Sequence, residues 1–264
     1  MPELPEVEAV CRKLRPAVVD RKIVSADIRR CAPVGTAERV SGRSILAVAR
    51  VGKHILIRLS AAVTLHVHLR MSGNLFAIPD HRFCGASARI LFRLNDGSGM
   101  VLEDPRALAR VEVCETAELD RALSAAAGPD PLTPAFTAAA FAGLARASRQ
   151  PAKLFLMDQR RVSGLGNIYA AEALYRARVD PRKPIQRLTK PRLDRLHSAI
   201  VSVLSDAVQS AVSAYAGPGE FLEAESFPIH VYGREGEPCA VCRTPIRRIS
   251  QGGRSTYFCP ACQR

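Results

Sequence analysis

The sequence predicts an α+β chain of two domains: an N-terminal antiparallel β-sandwich headed by a helix, then a helical part that ends in a metal-stapled hairpin. Three observations carry this expectation. Short strand-like runs punctuated by Gly, Asn, Asp and Ser fill the stretch from about 22 to 115, as in a layer of antiparallel strands. The segment Gly128-Pro129-Asp130-Pro131-Leu132-Thr133-Pro134 then interrupts the chain, and apolar residues recur at helical spacing beyond it. Last comes Cys239-x2-Cys242-x16-Cys259-x2-Cys262, two CxxC knuckles a short hairpin apart, the spacing that sets four thiolates at the corners of a tetrahedron and suits Zn2+.

Taken in order, residues 3–15 read as an amphipathic helix because Val7, Val10, Cys11 and Leu14 recur at helical spacing. The runs 45–48, 54–59, 64–69, 88–94 and 100–102 read as strands, and Asn95-Asp96-Gly97-Ser98-Gly99 as a tight turn between the last two. Helices are expected at roughly 136–147, 151–157, 166–177 and 189–215, the last from the spacing of Leu193, Leu196, Ile200, Val203 and Leu204. Between two of them, Gln159-Arg160-Arg161-Val162-Ser163-Gly164-Leu165-Gly166-Asn167 forms a Gly-bearing turn whose backbone amides can approach a phosphate closely. The hairpin follows Gly233, and no internal repeat is visible.

The 264 residues carry a net charge of +13, which points to a polyanionic partner. The excess lies in the second half: from Arg146 to Arg195 the only acids are Asp158, Glu172, Asp180 and Asp194. Arg243, Arg247, Arg248 and Arg254 stud the hairpin, with no acid from 239 onward, so it suits a phosphate backbone. A ribbon that only stabilises its end of the chain is the plainer alternative. No signal peptide and no membrane-spanning apolar run is evident, so a soluble, intracellular protein is expected; cytoplasmic localisation and a monomeric state are expected as well. Cys11, Cys31, Cys84 and Cys114 are scattered without a staple pattern and read as free thiols. The zinc is expected to be structural, since four protein thiolates leave no open position for water.

Pro2 is a candidate nucleophile. Removal of Met1 exposes a secondary amine, and an α-amine titrates near about 8, so part of it is unprotonated at neutral pH. Such an amine attacks an aldehyde-level carbon to give an iminium, with Glu3 and Glu6 within reach for proton transfer. A Pro-Glu opening also serves as a plain helix start, and the residues alone leave both readings open.

With both ends in view, the chain resembles the bacterial formamidopyrimidine-DNA glycosylases of the Fpg/endonuclease VIII family over nearly its whole length. The resemblance rests on Met1-Pro2-Glu3-Leu4-Pro5-Glu6-Val7-Glu8, Val51-Gly52-Lys53-His54, His68-Leu69-Arg70-Met71-Ser72-Gly73 and Glu103-Asp104-Pro105-Arg106. It continues through Gly164-Leu165-Gly166-Asn167-Ile168-Tyr169, the stretch from Val231 to Cys239, and Gly252-Gly253-Arg254-Ser255-Thr256-Tyr257-Phe258-Cys259. It implies a catalytic β-sandwich domain over 1–127, a linker at 128–134, a helix–two-turn–helix domain over 135–226 and a zinc finger over 227–264. It implies a partner too: duplex DNA with damaged bases or abasic sites, clamped in a basic cleft and flipped at the lesion.

By matching positions, Pro2 is the nucleophile, Glu3 the acid that protonates the sugar ring oxygen, and Lys53 a phosphate grip that favours elimination. Glu6 and Glu172 organise the active site, and His68, Asn167 and Arg254 hold phosphates. Met71, Arg106 and Leu108 fill the hole left by the flipped base, with Arg106 pairing to the orphaned partner base. The remaining histidines suggest no metal cluster.

The sequence departs from the family at two places. Leu108 stands where the family carries an aromatic; it is either an aliphatic wedge or a plain core residue. The glycine-rich lid over an everted 8-oxoguanine is also altered, in Ser205–Ser210 and in Ala214–Phe221, where it is shortened. A preference moved from 8-oxoguanine towards formamidopyrimidine or hydantoin lesions is therefore expected. The rivals are a non-catalytic zinc-finger DNA-binding protein of the same fold and an RNA- or ribosome-associated zinc ribbon.

Overall fold

Helix α1 (Leu4–Val18) heads the chain in the computed structural model, which describes residues 2–82, 85, 87–215, 224 and 226–264. Met1, Cys84 and the altered loop over 216–221 lie outside the described residues. α1 runs three residues past the expected end at 15, through Pro16, whose ring nitrogen has no proton for a helical bond. Its inner stripe of Val7, Val10, Cys11, Leu14 and Val18 is almost completely buried.

The chain divides into two units, Met1–Ala125 with Val208–Glu225, and Ala126–Ala207 with Ser226–Arg264. The first holds two four-stranded antiparallel sheets. One runs in the order β1 (Ile23–Ile28), β6 (Ala88–Leu94), β7 (Gly99–Glu103), β5 (Asn74–Ile78). The other runs β2 (Ile45–Val51), β3 (His54–Leu59), β4 (Val63–His68), β8 (Arg110–Glu115). Alternation in β4 sends Val63, Leu65 and Val67 inward and leaves His66 and His68 on the other face, as the two-residue period of a strand requires. Val10, Leu14, Ile55, Val67, Phe92 and Leu102 belong to one core, each such side chain contributing about 1.5–3 kcal/mol by burial. Short α2 (Thr36–Val40) and α3 (Thr116–Ala126) complete the unit; α3 buries only Leu119.

The second unit holds α4 (Ala138–Arg146), α5 (Ala152–Met157), α6 (Asn167–Arg176) and the first part of α7 (Lys190–Ala214). Thr137 caps α4 by accepting from the Ala140 amide at 3.1 Å. Phe136, Phe141, Phe155 and His197 pack their rings together beneath it. The Gly128-Pro129 stretch is not a loose connector. Gly128 donates to Gln159 O at 2.8 Å, Pro129 O accepts from the Ser163 amide, and a Cβ on Gly128 would meet the Arg161 carbonyl carbon at 2.7 Å. Only glycine fits so close to another backbone. The hairpin β9 (Arg247–Gln251) and β10 (Arg254–Phe258) ends the unit.

The α+β class, with a sandwich headed by a helix and a helical part closed by a finger, is borne out. Among the described residues, no helix is long and apolar enough to cross a membrane.

Candidate active site and nucleic-acid contacts

The head of α1 is built by a reciprocal capping box. The Glu3 carboxylate accepts from the Glu6 amide, and Glu6 Oε2 accepts from the Glu3 amide at 2.8 Å. Glu6 Oε1 also accepts from the Ala224 amide at 3.3 Å. Pro2 is buried, and Glu3 and Glu6 are 2% and 1% exposed, so the head of α1 holds two carboxyl groups largely shielded from water.

Lys53 sits in the two-residue turn between β2 and β3, where Gly52 takes a left-handed φ of 56° that few other residues adopt. A chain of ion pairs and hydrogen bonds fixes this turn against α1. Arg50 reaches Glu8 Oε2 at 2.8 Å and Gly52 O at 3.0 Å. Burial pushes the Glu8 carboxyl up, but hydrogen bonds from Arg12 and Arg50 override it and hold the group below its usual range. Arg50 was not singled out in the sequence.

His54, His66 and His68 form a ring cluster beside Lys53, with His54 Nδ1 and His66 Nε2 2.8 Å apart. Burial, then His54, Arg70 and Lys53, depress His68 to about 3, so it is neutral at physiological pH. Its Nδ1 accepts from the Arg70 amide at 3.0 Å, which leaves Nε2 as the protonated, donating nitrogen. His66, Glu112 and Cys114 bring donor atoms within 4.8 Å of one another, a grouping that the sequence did not suggest. Met71 and Leu108 are 47% and 41% exposed and Arg106 is exposed, so Leu108 is not a core residue.

In the second unit, the Gln159 side chain shapes the turn before α6. Its amide donates to Met157 O and Leu165 O at 2.9 and 2.7 Å and its oxygen accepts from the Gly164 amide at 2.8 Å. Asn167 opens α6, and its buried Oδ1 has no hydrogen-bond partner among the described residues. Glu172, one turn along, accepts from the amides of His230, Val231 and Tyr232 at 3.0, 2.9 and 2.9 Å. That clamp raises the His230 imidazole through its hydrogen bond to Glu172. Glu172→Ala strands three amides and is expected to destabilise the second unit by about 3 kcal/mol. Urea unfolding of both proteins checks this.

Arg254 is exposed at the start of β10, just after Gly252 and Gly253, whose φ values of 55° and 72° make the hairpin turn. Beneath it the fully buried Lys153 ammonium donates to Ser255 O and Thr256 Oγ1 at 2.6 and 2.7 Å, holding β10 against α5. Lys153 was not singled out in the sequence, where it is one of many positive charges between Arg146 and Arg195.

Cys239, Cys242, Cys259 and Cys262 bring their sulfurs within 4.8 Å of one another, with Cys239–Cys262 at 3.9 Å and Cys242–Cys259 at 3.4 Å. A tetrahedron of Zn–S bonds of about 2.3 Å needs sulfurs about 3.8 Å apart, so the donor set fits one structural zinc. Burial raises the Cys262 thiol to about 12. Burial would also raise Cys239, but the Tyr175 hydroxyl and backbone amides bring it down to about 6. A bound dication makes thiolates of all four.

The family model described as the formamidopyrimidine-DNA glycosylase N-terminal domain matches residues 1–111. The H2TH domain of the same enzymes matches 127–216, and a zinc finger found in FPG and IleRS matches 236–264. The formamidopyrimidine-DNA glycosylase of Chloroflexus aggregans is 41% identical, over 100% of this chain and 98% of its own length. That of Rhizorhabdus wittichii is 39% identical over all of both chains. The MutM (Fpg) protein of Thermus thermophilus superposes with a TM-score of 0.86 at 35% identity, covering 99% of this chain and 98% of its own. Lactococcus lactis Fpg, bound to DNA with an abasic site, gives a TM-score of 0.88 at 28% identity over 99% of each chain.

Proposed function

This chain belongs to the formamidopyrimidine-DNA glycosylase family, and we propose that it excises oxidised bases from duplex DNA and cuts the strand through a Schiff base on Pro2. It is a DNA glycosylase of base excision repair with one structural zinc. The observation that supports the reaction is the capping box: it buries the carboxyl groups of Glu3 and Glu6 at the helix start that directly follows Pro2.

Pro2 nitrogen forms a bond to the anomeric carbon as the glycosidic bond breaks, and the base leaves with a proton. Glu3 protonates the ring oxygen, the ring opens, and the nitrogen lone pair makes the iminium. Loss of a C2′ proton then expels the 3′ phosphate, and a second elimination expels the 5′ phosphate. Glu6 holds the Glu3 backbone in place and Glu172 anchors the 230–232 segment; neither carries the main proton transfer. Lys53, the Nε2–H of His68, Asn167 and Arg254 grip phosphates around the extruded nucleotide. Met71, Arg106 and Leu108 occupy the space that the base vacates. The four family segments are 1–127, 128–134, 135–226 and 227–264. The matches at 1–111, 127–216 and 236–264 support this division. The protein acts as a cytoplasmic monomer.

The altered lid and Leu108 move base preference. A hydantoin opposite cytosine is expected to be excised at least about tenfold more efficiently than 8-oxoguanine, since lost lid contacts act on the base and spare the sugar chemistry. Paired single-turnover assays on the two duplexes test this, and equal rates would sink it.

A further inference from the structure

The side chains that fill the vacated base site stand on two loops far apart in sequence, Met71 on 69–73 and Arg106 with Leu108 on 105–109. One buried carboxylate ties both. Asp104 is 0% exposed and follows directly on β7. Its Oδ1 accepts from Ser72 Oγ at 2.5 Å and from the Arg106 amide at 3.2 Å. Its Oδ2 accepts from the amides of Leu108 and Ala109 at 2.6 and 2.7 Å. The 105–109 loop curls around this group, with Ala107 at a φ of 52° and its amide bonded to Asp104 O. Arg89 closes the back of the loop by donating to the carbonyls of Asp104 and Pro105 at 2.7 and 3.0 Å.

The two loops also touch directly. A Cβ on Gly73 would lie 2.6 Å from Leu69 O and 3.2 Å from Ala109 Cβ, so the Met71 turn packs flush on the base of its neighbour. Ser72, the residue after Met71, therefore shares one acceptor group with the residues that carry Arg106 and Leu108.

We propose that Asp104 is the positioning residue that locks the Met71 and Arg106–Leu108 loops into a single rigid probe, with Ser72 as its link to the first. Separate flexible tips would lose conformational freedom on entering the duplex, whereas a preorganised pair inserts together. A neutral amide cannot replace the carboxylate fully. One of its two ends is a donor and must face either Ser72 and Arg106 or the Leu108–Ala109 pair. This inference rests on the void-filling reading of Met71, Arg106 and Leu108, so its test separates the two.

Single-turnover base excision from a lesion duplex and cleavage of a ready-made abasic duplex are measured for wild type, Ser72→Ala, Asp104→Asn, Met71→Ala and Leu108→Ala. Ser72→Ala and Asp104→Asn are each expected to slow base excision roughly tenfold while abasic cleavage stays within about threefold, because only the first substrate has a base to extrude. The double variant Ser72→Ala/Met71→Ala is expected to lose less than the product of the single losses. Normal excision by Met71→Ala and Leu108→Ala removes the void-filling reading, and this inference with it. Impaired excision by those two with normal excision by Ser72→Ala and Asp104→Asn overturns this inference alone. Should Asp104→Asn fail to fold, Ser72→Ala decides, and equal losses on both substrates would mean a merely structural role.

Discussion

Replacing Pro2 by glycine is expected to slow base excision by at least about 10²-fold, with a smaller loss on a ready-made abasic site. Glycine still offers an α-amine, so the argument turns on what proline adds. A secondary amine yields an iminium that stays charged at every pH, whereas a primary amine yields an imine that must be protonated before it withdraws electrons. The ring also ties the nitrogen to its own side chain at a buried position just before α1, which limits its rotation. Glycine adds backbone freedom at the one point where direction matters. An abasic sugar is already aldehyde-like, so it tolerates a weaker nucleophile better than an intact nucleotide does. Single-turnover kinetics on both substrates check the split, provided that mass spectrometry confirms the loss of Met1.

The second large effect concerns the finger. Cys259→Ser is expected to abolish stoichiometric zinc and to weaken binding of duplex DNA by about 10²-fold at physiological salt, because the hairpin that carries Arg247, Arg248 and Arg254 would lose its fold. Cys259 is fully buried, its amide donates to Gln263 Oε1 at 2.8 Å, and its sulfur accepts from the Cys262 amide at 3.4 Å. A shorter serine oxygen cannot complete the tetrahedron. Free zinc-finger peptides gain about 10–16 kcal/mol of folding free energy from the metal, far more than the Lys153 bonds to β10 can replace. The loss reaches α6 through the Tyr175 hydroxyl, 3.3 Å from Cys239 Sγ on the same helix that begins at Asn167. Zinc quantification with a salt titration of DNA binding measures both consequences; unchanged affinity in a zinc-free variant would refute the role of the finger.

Periodic features were legible in the sequence. The expected run at 54–59 is β3, that at 88–94 is β6, and the helix expected at 189–215 is α7 to within a residue at each end. The four cysteines announce their site by spacing alone. Elements without a strong apolar period escaped individual notice: α2 has five residues, and α3 buries only Leu119. The residues that brace the site were equally silent. Arg50 between Glu8 and Gly52, Gln159 across its turn, Lys153 under β10 and Asp104 beneath two loops all act by bonds to backbone or to partners distant in sequence. Such bonds leave no period and no spacing. Leu108 illustrates the converse: its position was marked by the family motif, but only its 41% exposure separates a surface wedge from a core leucine.

The most direct measurement is borohydride trapping of the purified protein on duplexes that carry an abasic site, 8-oxoguanine or a hydantoin, followed by peptide mass mapping of the adduct. Borohydride reduces the iminium and freezes it. A covalent adduct that maps to Pro2, strongest on the abasic site and the hydantoin and lost or strongly reduced in Pro2→Gly, is the predicted result. No adduct on any of the three, with Met1 shown to be absent and DNA binding intact, would contradict the mechanism and leave a zinc-stapled protein that holds DNA without cutting it.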